Sequence, residues 1–583
     1  MLDNREKLGW HSHAKSVELF RALAASGRAS YGLMMGVQLM RNEATGVMVT
    51  IRAKVNMKIV MAFMALMLGW GCVSAAESRS TKVPAILAEA LAVLRVNDPR
   101  MLDRETTQFA AGLGINPEPL RAALAHVLFR SRNLDGIDLS RPALMAWRAG
   151  SPPLLAVIPL SDRRLFLENF GAGFGEDAPL IRVGERDGTV VYTQNGNEGL
   201  IEYRLLVSDR AAYLAGSIAA CRELADFPLQ AAAKDSPLIF TANAAFIAQM
   251  NTVTEASPAF GKMSQTVVPG LGNLHHLVRA SWNAFTSQLS KIEFSLRPDQ
   301  QGNMNFAMRM DALPDSALSV WVANQRNQPS RLSSIVRSEH SVFTLAGNIM
   351  WQGQAERFGG NFEPTLKQLF GDRWTSTVDE NWTSLWTLFD RAGPFAMAAD
   401  VTIKDGKPVS ETRYLVDQPK AQELMSLINL VTQDLTGAAS EAVTAGNATG
   451  FHEQRPDGDT ALVSNERFLV SVQSTMRSAV VAAADVVNRS QTNGAPEGNP
   501  AVLHLSANLT PLVRTLVVAM GGELQPALPN ATCGLIFKVG LPGSLEAEGT
   551  FPAAAVARLM RDSGLMQFLA PAGPGKSGPR GLN

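Results

Sequence analysis

The chain has 583 residues, 46% of them hydrophobic and 18% charged, a balance that describes a globular protein and excludes a disordered one. Lys plus Arg and Asp plus Glu number 53 each, so no basic excess points to nucleic acid or to an anionic lipid surface. Three cysteines are too few for a disulfide framework, and no histidine stands at ligand spacing from them to make a zinc site.

Residues 1–56 hold Met34, Met35, Met40 and Met48, several basic residues and one short amphipathic stretch, "SVELFRALAAS". They read neither as a leader nor as a domain. At Met57 begins "MKIVMAFMALMLGWGCVSAAES". Lys58, with Arg52 and Lys54 upstream, gives a positive flank, and Ile59 to Leu68 form an apolar core. Ser74, Ala75 and Ala76 then supply small residues where a signal peptidase cuts. The pattern predicts a secretory signal over 57–76. It also predicts that translation begins at Met57, with 1–56 an upstream extension assigned to the chain in error. The apolar core is shorter than the roughly 20 residues of a membrane span. Cleavage after Ala76 is preferred to lipidation of Cys72, because Trp70 is bulky where a lipidated cysteine needs a small neighbour. A periplasmic or secreted location follows, with no later run long enough to cross a membrane. Of the cysteines, Cys221 and Cys533 remain past the leader. They could pair in an oxidising compartment, but their apolar neighbours favour two separately buried thiols.

From Thr81 to Val127 the pattern predicts a helical cap, ending in "NLDGIDLSRPALMAW". An internal repeat of about 255 residues then organises the chain. "LLAVIPLSDRRLFLENF" answers "SETRYLVDQPKAQELMSLI", each a strand running into Asp162 or Asp417 and then an amphipathic helix. "LLVSDRAAYLAGSIAACREL" answers "ALVSNERFLVSVQSTMRSAV", aligning Ser208 with Ser464. "PLIFTANAAFIAQM" answers "AVLHLSANLTPLVRTL", placing Asn243 and Asn508 where strand gives way to helix, as N-caps do. Finally "IEFSLRPDQQGNMNFAMRMDALPDSALSVWV" answers "GLIFKVGLPGSLEAEGTFPAAAVARLM", hairpins closed by a Pro (Pro314, Pro552) that opens a helix. Met304, Phe306, Met308 and Met310 alternate with polar residues at the period of a half-buried strand. Leu424, Leu427, Ile428, Val431 and Leu435 recur at helical spacing.

The expected fold is therefore α+β: two tandem duplicated units, each an antiparallel sheet with helices covering one face. The first unit, with its cap, spans 77–327 and the second 328–569. The boundary falls in the polar stretch "NQRNQPSR", and a disordered Pro/Gly-rich tail covers 570–583. The "GIDLSRP" turn, "PPLLAVIPLSDRRLFLENF" and "LLVSDRAAYLAGS" resemble a group of exported bacterial proteins of unknown function, found in planctomycete- and verrucomicrobia-like bacteria. That resemblance implies a signal peptide and brings no catalytic residues.

Candidate chemistry is sparse. His275 and His276 are adjacent and diverge by about 100° on a helix, and "HSH" at 11–13 precedes the leader. "GAGFG" at 171–175 follows a helix, not the strand that a dinucleotide loop requires. "SEHS" at 338–341 places Ser, Glu and His side by side, which a triad's geometry does not favour. "DGID" (135–138) and "RPDGD" (455–459) have too few alternating oxygens for calcium and suit turns. Trp374, Trp382 and Trp386 with Phe389 are the one denser cluster, a packed helix face or a binding platform. No catalytic, cofactor-binding or metal residue is assigned. The expected function is an exported, non-catalytic envelope or secreted protein with a binding or structural role, its partner a protein or an apolar ligand. The alternatives are a carrier of lipid or another apolar ligand, which requires a continuous cavity of several hundred Å3, and a hydrolase with scattered residues. The latter requires a cleft between the halves with convergent, perturbed titratable groups.

Overall fold

The computed structural model describes residues 85–565, apart from 151, 172–178, 197–198, 227–235, 250–284, 300, several positions between 352 and 369, 405–406, 438, 456–457, 492–496, 520–521, 523–527 and 541–542. It opens with α1 (Ala85–Ala88) and then a strand, β1 (Ala90–Val96), within the stretch where the sequence pattern predicts a helical cap. The correction has a plain cause. Ala92, Leu94 and Val96 are buried at alternate positions, the period of a strand, and the sheet on either side of β1 overrides the helical propensity of an Ala/Leu-rich run. Helices α2 (Pro99–Leu113) and α3 (Glu118–Phe129) complete the cap. The Asp98 carboxylate accepts from Met101 N–H at 3.0 Å to start α2, and Gly114, at φ 72°, ends it.

The chain continues through β2 (Ala143–Arg148), β3 (Leu154–Pro159) and α4 (Arg163–Asn169), then β4 (Ile181–Arg186), β5 (Thr189–Gly196), β6 (Gly199–Val207) and β7 (Ala211–Ala215). Next come α5 (Ile218–Ala225), β8 (Leu238–Asn243), β9 (Leu289–Pro298), β10 (Met304–Ala312) and α6 (Ala317–Asn324). The later half runs β11 (Gln328–Ser330), α7 (Ser333–Val336), β12 (Ser341–Gly347), α8 (Ser376–Phe389), β13 (Phe395–Lys404), β14 (Lys407–Asp417) and α9 (Ala421–Thr436). It continues with β15 (Glu441–Ala445), β16 (Ala448–Arg455), β17 (Gly458–Ser464), β18 (Phe468–Ser474), α10 (Ala479–Ser490) and β19 (Glu497–Ala501). It ends with β20 (Leu503–Asn508), α11 (Leu509–Ala519), β21 (Thr532–Val539), β22 (Ser544–Phe551) and α12 (Ala553–Asp562).

Among the described residues twenty strands form one antiparallel sheet, and β11 pairs separately with β19. From one edge the order is β4, β5, β6, β7, β3, β2, β1, β8, β9, β10. There β10 pairs with β22, from Met304–Phe551 to Asp311–Ser544, and the order runs on through β21, β20, β12, β13, β14, β18, β17, β16 to β15. The α+β class therefore holds, but a single sheet stands where the sequence reading expects one per unit.

Helices also lie on both faces of the sheet, not on one. Met145, Leu154 and Ala156 pack toward α2, α3 and α4, while their neighbours Leu144, Leu155 and Val157 pack toward α1 and α5. In the later half Leu469 packs toward α8 and α9 and its neighbour Val470 toward α7 and α10. The physical reason is legible in "LLAVIP", whose six residues are all buried. A run without alternation needs cover on both sides. The central strands differ. Phe294, Met308, Met310, Phe537 and Leu545 lie on the face shared with α6, and Met304 and Phe551 pack with α11 and α12. The opposite face of these strands contributes no residue to the cores beneath α1 and α5 or α7 and α10. Helix α12 closes back on α2, where Ala557 lies so near Gly112 that a Cβ there would stand 2.8 Å away.

Local expectations fare variously. Asn243 Oδ1 accepts from Phe246 N–H at 3.0 Å and Asn508 Oδ1 from Thr510 N–H at 3.1 Å, so both cap as their position predicts. Asp162 caps α4 through Leu165 N–H at 2.9 Å, but Asp417 does not cap α9. The N-cap of α9 is Lys420, and Asp417 instead accepts from Arg467 Nε at 3.0 Å. The stripe Leu424, Leu427, Ile428, Val431 and Leu435 packs inward as its spacing requires.

Candidate functional site

The polar face of the central strands runs across the join of the two halves. Alternation along each strand places Lys291, Glu293 and Arg297 of β9, Arg309 and Asp311 of β10, Glu546 and Glu548 of β22 and Lys538 of β21 on it. Register sets Glu293, Arg309, Glu546 and Lys538 side by side on four adjacent strands, with the sign alternating at each step. Opposite charges facing across strands attract, where like charges would repel. Ion pairs link Lys291 to Glu293 at 2.7 Å, Arg309 to Asp311 at 2.7 Å and Lys538 to Glu548 at 2.6 Å. Thr550 donates to Asn305 Oδ1 at 2.8 Å. The Asp311 hydrogen bond, outweighing a burial cost and helped by Glu546 and Glu293, holds the Arg309 guanidinium above its usual range. Six of the charged groups on this face thus satisfy one another in pairs.

A cavity of about 80 Å3 lies in the first half, between α3 and the β2, β5 and β6 strands. His126 and Arg130 of the α3 end, Trp147 of β2, Gln194 of β5 and Tyr203 of β6 line it, with Leu180 beside them. Arg130 adopts φ 52°, a left-handed conformation uncommon for a residue with a Cβ. Its carbonyl accepts from Gly171 N–H at 2.8 Å, and its Nη1 lies 3.4 Å from His126 Nε2. Tyr203 donates to Gln194 Oε1 at 3.4 Å, and burial, against a smaller opposing effect of Arg130, pushes its phenol up to about 12. The phenol therefore stays a neutral donor at physiological pH.

The tryptophans flagged by the sequence form a chain of edge-on rings. Trp374 and Trp382 have centroids 5.6 Å apart, as do Trp382 and Trp386, and Trp386 leads to Phe389 at 5.5 Å. Trp386 and Phe389 pack on Leu385, Leu388 and Leu424, and Trp374 and Trp382 on Val378, Val431 and Leu435. The rings are half-buried along the seam of α8 and α9, and Trp374 Nε1 donates to Asp379 at 2.8 Å.

"SEHS" resolves into something else. Ser338 and Ser341 both donate to Asp400, at 2.6 and 2.7 Å, while Glu339 and His340 face solvent. Asp400 pairs with Arg413, which lies 3.7 Å from Glu411, and Glu411 pairs with Arg477 at 3.0 Å. Arg477 reaches Asp485 at 2.5 Å. Asp400, Glu411 and Arg413 are all nearly inaccessible, and the Glu411 bond holds Arg477 above its usual range despite partial burial.

In "DGID", Gly136 takes φ 82° where a Cβ would collide with the Phe166 backbone, and Asp138 accepts from Ser140 N–H and Oγ, so the stretch is a turn. Cys221 and Cys533 are free thiols, each pushed up to about 11 by burial. "HSH", His275 and His276, and all but the first glycine of "GAGFG" fall outside the described residues. Among the described residues no three His, Cys, Asp or Glu side chains gather as metal ligands, and no helix is long and apolar enough to cross a membrane. Sequence reasoning misses His126, Arg130, Gln194 and Tyr203 because they come from three remote elements and share no spacing. Their only local signal is Arg130 at a helix end without glycine. No protein-family model, no curated protein and no solved structure matches this chain.

Proposed function

We propose that the chain is an exported, non-catalytic envelope or secreted protein with a binding or structural role, assembled from a duplicated α+β unit whose copies merge in one sheet. The strand order supports the duplication, since it repeats element for element inward from β4 and from β15. Leu160 N–H bonds to Arg210 O just as Gln418 N–H bonds to Arg467 O, and the turns at Ser208 and Asn465 close in the same way. Asp162 therefore corresponds to Lys420, and Ser208 to Asn465, shifting by a few residues the alignment that the sequence suggests. Matching β9 to β21 and β10 to β22 through these pairings makes Ala307 the counterpart of Glu548, the residue it faces. A two-fold relation centred on that pair follows.

The observation that carries the passive role is the join itself. Binding and catalytic sites occur preferentially where units meet, and here Lys291 with Glu293, Arg309 with Asp311 and Lys538 with Glu548 are held in ion pairs at that place. Export is tested by N-terminal sequencing of the protein recovered outside the cytosol, which should begin at Glu77. Recovery of a cytosolic chain retaining residues 57–76 sinks that half of the reading. The other half falls if the purified protein hydrolyses ester, glycoside, peptide or phosphate substrates and loses that activity on Glu293→Gln or Glu546→Gln substitution.

A further inference from the structure

We draw no further inference here: the strongest candidate, the half-buried apolar face of the central strands where Phe306 and Leu535 lie between the residues packed with α6 and those packed with α11 and α12, carries nothing because nothing in the structure shows what covers it.

Discussion

Beneath α5 the sheet presents Leu155, and at the corresponding place beneath α10 it presents Arg413. The backbone pairings around the two positions are alike: β3 lies between β2 and β7, and β14 lies between β13 and β18. The fillings are not. One side closes with Ala146, Leu155, Val157, Cys221 and Leu224, while the other adds to its apolar core of Leu415, Val470, Val472 and Val486 the line from Ser341 through Asp400, Arg413 and Glu411 to Arg477. One strand arrangement thus tolerates either a wholly apolar core or one crossed by a line of charges, provided that every buried ion meets its opposite. The charged version gains nothing in stability over an apolar one of equal volume, but it depends far more on completeness.

Breaking the charged side should give the largest effect. Arg413→Met leaves Asp400 in the interior without its counter-ion, while Glu411 keeps Arg477, and should cost about 3–5 kcal/mol in urea unfolding. Arg413→Leu combined with Asp400→Val should recover most of that loss by making this side resemble the other. No recovery would mean that the two sides are not interchangeable. The join gives a smaller test. Phe306 lies over Gly549, where a Cβ would collide with the ring. Gly549→Ala should cost about 1–3 kcal/mol through overpacking, read from the melting midpoint. A neutral outcome would show that the central pair of strands is loosely packed where the flanks are tight.

The smallest effect lies in the β9–β10 turn. Asp299 feels a burial cost that raises its carboxyl, but N–H groups of Asn303 and Gln301 and the Asn303 and Asn305 side chains lower it further, so it ends below its ordinary value of 3.8. A depressed carboxylate stabilises the fold fully above its unfolded value and ceases to do so as pH falls through the folded one. Comparing Asp299→Asn with the parent chain should therefore show a stability gap near neutrality that closes below about pH 4. A gap unchanged at acid pH would contradict the turn described.

Much of this was written locally. Asn243 and Asn508 announce helix starts because a side-chain oxygen must meet an orphan N–H. The alternation from Met304 to Met310 announces a half-buried strand in the same local way. Other features depend on partners far along the chain. β1 reads as helix until β2 and β8 lie beside it, and Asp400 gives no hint of Arg413. The cavity's polar groups come from α3, β5 and β6, and only folding brings His126 to Tyr203. The merging of both halves into one sheet is likewise invisible, since the polar residues of β10 and β22 look like any solvent-facing edge.

At the central pair, Phe306 sits on Gly549 and Met308 on Ala547, bulky against small on either side of Ala307 and Glu548. Two copies of the second edge would bring Glu548 against Glu548, and two of the first would crowd their rings and thioethers. Each border fits the other as a lock fits its key. The tether that joins them supplies the matching border at high local concentration, which favours closure of the molecule upon itself over the recruitment of a stranger.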